Sequence, residues 1–218
     1  MLYNDELKSV SLGISKIALR RDRKQRSRVE YLIDPGGDEA SGFGVPEKVV
    51  LQRWRQKTSK KYAFGGMRLS PNIWRSIQLS VGINYFDEHE VDTDFIDEKN
   101  QQKKMEIKSY KYPIISGANV QKLVQGLGLM RLQALMQRHN SPTRIDTYGT
   151  PDLYLWAIRR STQKIAFTRL VEVKKPLEPL SPDQKAELFY LRHDLGLEAG
   201  FLRLIEKSKI QTAPVKYT

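Results

Sequence analysis

The sequence predicts an α/β (α+β) fold in which a sheet is flanked by helices, and three observations predict it. Two β-rich runs, Leu153-Tyr154-Leu155-Trp156 and Ile165 through Val173, flank the polar turn Arg159-Arg160-Ser161-Thr162-Gln163-Lys164, which is the pattern of a β-hairpin. A helix start, Ser181-Pro182-Asp183-Gln184, follows the hairpin and precedes a further strand from Ala199 to Glu206. Before the hairpin, Val120, Leu123, Val124, Leu127 and Met130 recur at helical spacing as far as Leu135 and Met136, with Ser116 as a cap.

The hairpin carries the chemistry. Glu172 and Lys174 are two residues apart on its second strand, so both side chains project from one face. The first strand can bring Asp152 to that same side. Two carboxylates and an ammonium at a buried hairpin end are expensive unless they hold a metal or do chemistry. The plain alternative is a buried Asp–Lys–Glu salt bridge.

These residues resemble the Pro-Asp…Glu-x-Lys pattern of the PD-(D/E)xK nucleases. Gly149-Thr150-Pro151-Asp152-Leu153-Tyr154-Leu155-Trp156, Leu170-Val171-Glu172-Val173-Lys174-Lys175-Pro176 and Leu180-Ser181-Pro182-Asp183-Gln184-Lys185 are similar, in order, to three motifs of the VRR-Nuc family. Phe201-Leu202-Arg203-Leu204 stands where that family has its last strand. The resemblance covers roughly residues 113–207. It implies a restriction-endonuclease-like core, with a mixed central sheet flanked by helices and preceded by a basic N-terminal extension. Residues 1–112 then form that extension, 113–207 the nuclease core and 208–218 a polar tail.

The resemblance also implies a metal-dependent endonuclease that hydrolyses DNA phosphodiester bonds and selects junctions or flaps. Asp152, Glu172 and the carbonyl of Val173 would be metal ligands. Lys174 would orient the attacking water and stabilise developing negative charge. Magnesium is the expected ion, with manganese as its substitute. Family members carry a glutamate on a helix before the Pro-Asp strand. Glu47 is the candidate, because Pro46 through Arg55 reads as a helix with proline at its first position; Glu30 and Glu39 are the substitutes. Gln184 closes a capping box with Ser181, and the resemblance adds a place near the active centre. By analogy the chain forms a homodimer. Two other readings stay open. One is an antibacterial DNA-damaging toxin with an immunity protein as partner, and the other is a non-catalytic nucleic-acid-binding module on the same fold.

Composition agrees with a polyanion partner. The 218 residues carry a formal charge of +12. Basic residues dominate both ends, whereas residues 76–100 hold seven acids and one lysine. The densest basic run, Leu19 to Arg28, contains Arg20, Arg21, Arg23 and Lys24; these and Lys175 are candidate phosphate contacts. A solvated helix face or an arm explains that run equally well. The acids at 87–98 lack the spacing and glycine of a calcium loop. There is no cysteine, so disulfides and cysteine zinc sites are excluded. No apolar run is long enough to cross a membrane, and the start does not resemble a signal peptide; a cytoplasmic location is expected. Ile73 through Val81 predicts a helix with Trp74, Ile77 and Val81 on its core face. His139, alone near a helix end, reads as structural.

Overall fold

In the computed structural model, the described residues are 18–22, 30–33, 46–70, 73–74, 77, 115–140, 149–175 and 177–206. The expected turn at 34–38, the acidic loop at 86–104, Val81 and the tail after 206 lie outside them. So do Arg23, Lys24 and Glu39.

Strand β4 (Leu153–Arg159) and strand β5 (Ile165–Lys174) form the hairpin, antiparallel, with Leu153 opposite Val171 and Tyr154 opposite Leu170. The register shifts once, between Ala157 and Ile158. On the outer side of β4 lies β3 (Tyr62–Arg68), also antiparallel. On the outer side of β5 lies β6 (Ala199–Arg203), in parallel. The order β3-β4-β5-β6 is the mixed sheet that the sequence implied. A parallel pair needs a crossover. Helix α4 (Pro182–Phe189) and the π-helical turn Tyr190–Asp194 supply it.

Alternation along β4 and β5 sorts their side chains into two cores. Tyr154, Trp156 and Leu170 pack with helices α2 (Gly117–Leu127) and α3 (Leu129–Asn140), and with Leu188 and Leu191 of the crossover. Leu153, Leu155, Val171 and Val173 pack on the other face against α1 (Pro46–Arg55), through Val50, Leu51 and Trp54. Each such fully buried side chain contributes about 1.5–3 kcal/mol. The same helix seals the edge strand: Trp54 Nε1 donates to the Gly65 carbonyl at 2.9 Å and Arg55 Nη2 to that of Gly66 at 2.5 Å. Gly65 admits no side chain, because a Cβ there would collide with the Trp156 ring. Ile73, Trp74 and Ile77 are helical and buried, Trp74 and Ile77 as their spacing predicted.

Three expectations are corrected. The single helix from 116 to 136 is two helices. Ser116 caps the first, accepting from the Asn119 amide at 3.4 Å, but Gly128 stands at φ +82°, outside any helical conformation, and separates α2 from α3. The basic run is not a helix face where it is described, because Ala18–Asp22 is strand β1. The last strand is also broken. Leu204 leaves the ladder after β6, its amide donating to the Lys174 carbonyl at 2.8 Å, and Ile205–Glu206 forms β7. Strand β7 joins a second small sheet of order β2-β1-β7, where β2 is Glu30–Ile33.

Candidate active site

The site lies where the hairpin ladder runs out. Leu153 pairs with Val171, so the next rung places Asp152 opposite Glu172, and directly opposed residues share a face. Asp152 is already past the strand. Its Oδ2 therefore accepts the Val173 amide at 2.7 Å in place of a backbone carbonyl. Within a strand the N–H and C=O of one residue point to the same neighbour, so the Val173 carbonyl also faces the Asp152 side. The backbone of Asp152 is fixed too, its carbonyl accepting the Leu69 amide at 2.8 Å.

Glu172 and Lys174 are nearly buried, with only 4% of each exposed. Lys174 Nζ lies 3.1 Å from Glu172 Oε1 and 3.3 Å from Glu178 Oε1. Gln184 Nε2 donates to the same Glu172 oxygen at 2.6 Å, while Gln184 Oε1 accepts the Ser181 amide at 3.0 Å. One side chain thus caps α4 and touches the acid. Glu47, in the first turn of α1, sits close enough for its charge to act on Asp152. Its Oε2 is buried without a hydrogen-bond partner.

Burial pushes the Asp152 carboxyl up to about 6; Glu47 and Glu178 push the same way, and the Val173 amide and Lys174 oppose them. Glu172 is pushed up to about 7, again first by burial and then by Asp152, against the pull of Lys174. Such mutual repulsion is relieved by a cation. Among the described residues no three acids or histidines converge into a preformed metal cage. The residues fit a different kind of site. Magnesium keeps several waters and takes one or two carboxylates. Asp152 and Glu172 could supply these, with the Val173 carbonyl on the Asp152 side, and the Glu47 oxygen could accept a hydrogen bond from a water.

The structure therefore brings together Asp152, Glu172, Val173, Lys174, Gln184 and Glu47. Lys175 is exposed at the rim. Arg20, Arg21 and the substitute Glu30 belong to the second sheet, and only their backbone is described. Sequence reasoning missed Glu178, which meets Lys174 through its side chain and accepts the Lys175 amide at 3.1 Å. The i, i+4 spacing was visible, but this segment is a loop, where that spacing does not fix a contact. His139 is buried against Glu187 at 2.7 Å and lies outside this site.

The sequence model of the VRR-NUC domain matches residues 88–203. No curated protein sequence matches the chain. The fold is similar to a crystal structure of paFAN1 bound to 5′-flap DNA with a 2-nucleotide flap and a gap. The TM-score is 0.55 at 13% identity, over 94% of this chain and 38% of that one. A second paFAN1 structure, with a 1-nucleotide flap, gives a TM-score of 0.48 at 13% identity, over 76% of this chain and 36% of that one. The chain spans well under half the length of these neighbours. The match from residue 88 to 203 takes in Asp152, Glu172, Lys174 and Gln184, and the chain belongs to the VRR-NUC domain family.

Proposed function

We propose that the chain is a metal-dependent endonuclease that hydrolyses DNA phosphodiester bonds and prefers branched substrates such as flaps and junctions. The observation that carries this reading is half-buried Asp152, whose Oδ2 accepts the Val173 amide at 2.7 Å, beside buried Glu172 with Lys174 Nζ 3.1 Å from its carboxylate. A divalent ion held by Asp152 and Glu172 would neutralise phosphate charge and lower the pKa of a bound water. The remaining work falls to the chain's own groups.

Hydrolysis adds a water oxygen to phosphorus, breaks one P–O bond and protonates the leaving oxygen. Lys174 offers positive charge beside the acids, where negative charge grows on the phosphoryl oxygens. Gln184 holds one oxygen of Glu172 and so fixes which lone pairs face the substrate. Glu47 has a free carboxylate oxygen to accept a hydrogen bond from a water near Asp152. The branched-DNA preference is carried over from the flap DNA in the paFAN1 structures.

Purified protein with magnesium, offered junctions, flaps, single strands and plain duplex, tests the reading. Cleavage of branched DNA is expected, and Asp152→Ala or Lys174→Ala should abolish it while leaving the folded protein intact. Binding without cleavage would make the chain a nucleic-acid-binding module instead. Cleavage by both variants at the parent's rate would show that the site is elsewhere.

A further inference from the structure

The far end of the hairpin carries a second cluster that the proposed reaction does not use. The turn after β4 and the loop before β3 are bound together: the Arg160 amide donates to the Lys61 carbonyl at 3.0 Å, and Arg160 Nε to that of Ser59 at 3.1 Å. In segments 55–61 and 159–164, seven of thirteen residues are lysine or arginine and none is acidic. Lys60, Lys61, Arg159, Arg160 and Lys164 are exposed.

The backbone that presents them is tightly closed. The Arg159 amide donates to the Lys164 carbonyl at 2.9 Å, and the Gln163 amide to the Arg159 carbonyl at 2.8 Å. Below the charges lies a set of aromatic rings. Tyr62 and Phe167 meet edge to face at 5.6 Å, and Trp54 and Phe64 at 4.8 Å. Lys61 Nζ stands 5.3 Å from the Tyr62 ring centroid and Lys57 Nζ 5.2 Å from that of Phe64. Such contacts limit the wandering of flexible lysines. A rigid backbone whose two segments carry charges of one sign matches a fixed array of phosphates, because each neutralised phosphate releases counterions.

Strand β4 sets the distance to the cleavage centre. The seven steps from Asp152 to Arg159 span about 23 Å at the usual strand rise, which equals about seven steps along a nucleic-acid strand. We propose that this hairpin-end platform binds the phosphates of a duplex DNA arm about seven base pairs from the scissile bond. It would then serve as a second contact that measures the length of the arm. The choice of DNA rests on the function proposed above, whereas the platform itself rests on charge and geometry.

The test is binding without a divalent ion, so that no cleavage is needed. Affinity is measured over a salt series, by fluorescence anisotropy, for the parent and for a combined Lys60→Gln, Lys61→Gln, Lys164→Gln variant. Each flap substrate carries a duplex arm of about 12 or about 4 base pairs. With the long arm, the slope of log affinity against log salt should fall by about 0.9 for each lost phosphate contact, so by two to three units in all. With the short arm, parent and variant should bind alike. An unchanged slope on the long arm would overturn the proposal. Equal weakening on both arms would overturn it too, because that marks general attraction and not a distant contact. The nuclease reading is judged separately, by whether the parent cuts once magnesium is added.

Discussion

At the scale of the residue, the acids are held against their preference. Asp152 and Glu172 ionise near 3.8 and 4.5 in an exposed setting, but stand at about 6 and about 7 here. Between pH 4 and 7 the metal-free fold therefore keeps protons that the unfolded chain has released. The stability these two groups contribute should be fully present below about pH 4 and be lost as pH rises through 6 and 7. For Asp152 alone the loss is at most about 3 kcal/mol. Urea midpoints at pH 4.5 and pH 7.5 check this; Asp152→Asn should show a much shallower decline than the parent. In turnover, Lys174→Met removes the ammonium 3.1 Å from Glu172 and should lower kcat by about 10²–10³-fold, with circular dichroism unchanged. The acids, the lysine and Gln184 were legible because their motif occupies one strand, one rung and one helix cap. Glu178 was not, because its contact depends on how the loop after β5 turns. Leu177 takes a positive φ of 63° in that loop, which nothing in its side chain announces.

At the scale of the element, the hairpin was legible for a simple reason. A period of two, β-branched content and a polar turn all point the same way. The α2–α3 pair was not. Its apolar stripe continues through Gly126 and Gly128, so side-chain spacing alone suggests one helix. The break is a backbone event, since Gly128 at φ +82° occupies a region closed to other residues. A Cβ there would meet nothing, so the cost of Gly128→Ala is conformational and not steric. The variant should lose about 1–3 kcal/mol of stability, read as a lower urea midpoint with an unchanged slope. Helix α4 differs in that all its start signals agreed. Its cap, its proline and its Gln184 are used as the sequence implied, and only the π-helical turn at its end was hidden.

At the scale of the whole molecule, folding and cation binding should be linked. A divalent ion between Asp152 and Glu172 would offset their mutual repulsion. Magnesium at a hundred times its Kd should stabilise the fold by about 2.7 kcal/mol. The gain should be larger at pH 8 than at pH 5, where bound protons compete. Thermal melts with and without magnesium at both pH values measure it, and Asp152→Asn should erase most of the difference. A mixed sheet around the hairpin was implied by the sequence, but its edge strand β3 was not read, and neither was the β2-β1-β7 sheet, because strands of four, five and two residues carry too little pattern to register. That small sheet has a practical consequence. All four strands that seat the acids come from residues 62–203, and α1 begins at Pro46. Shortening the protein to start just ahead of Pro46 would spare every one of them. It would strip β7 of its neighbour and leave Ile205 and Glu206 as a bare ribbon edge. The stub would then be open to a strand from another copy, and the shortened protein should stick to itself.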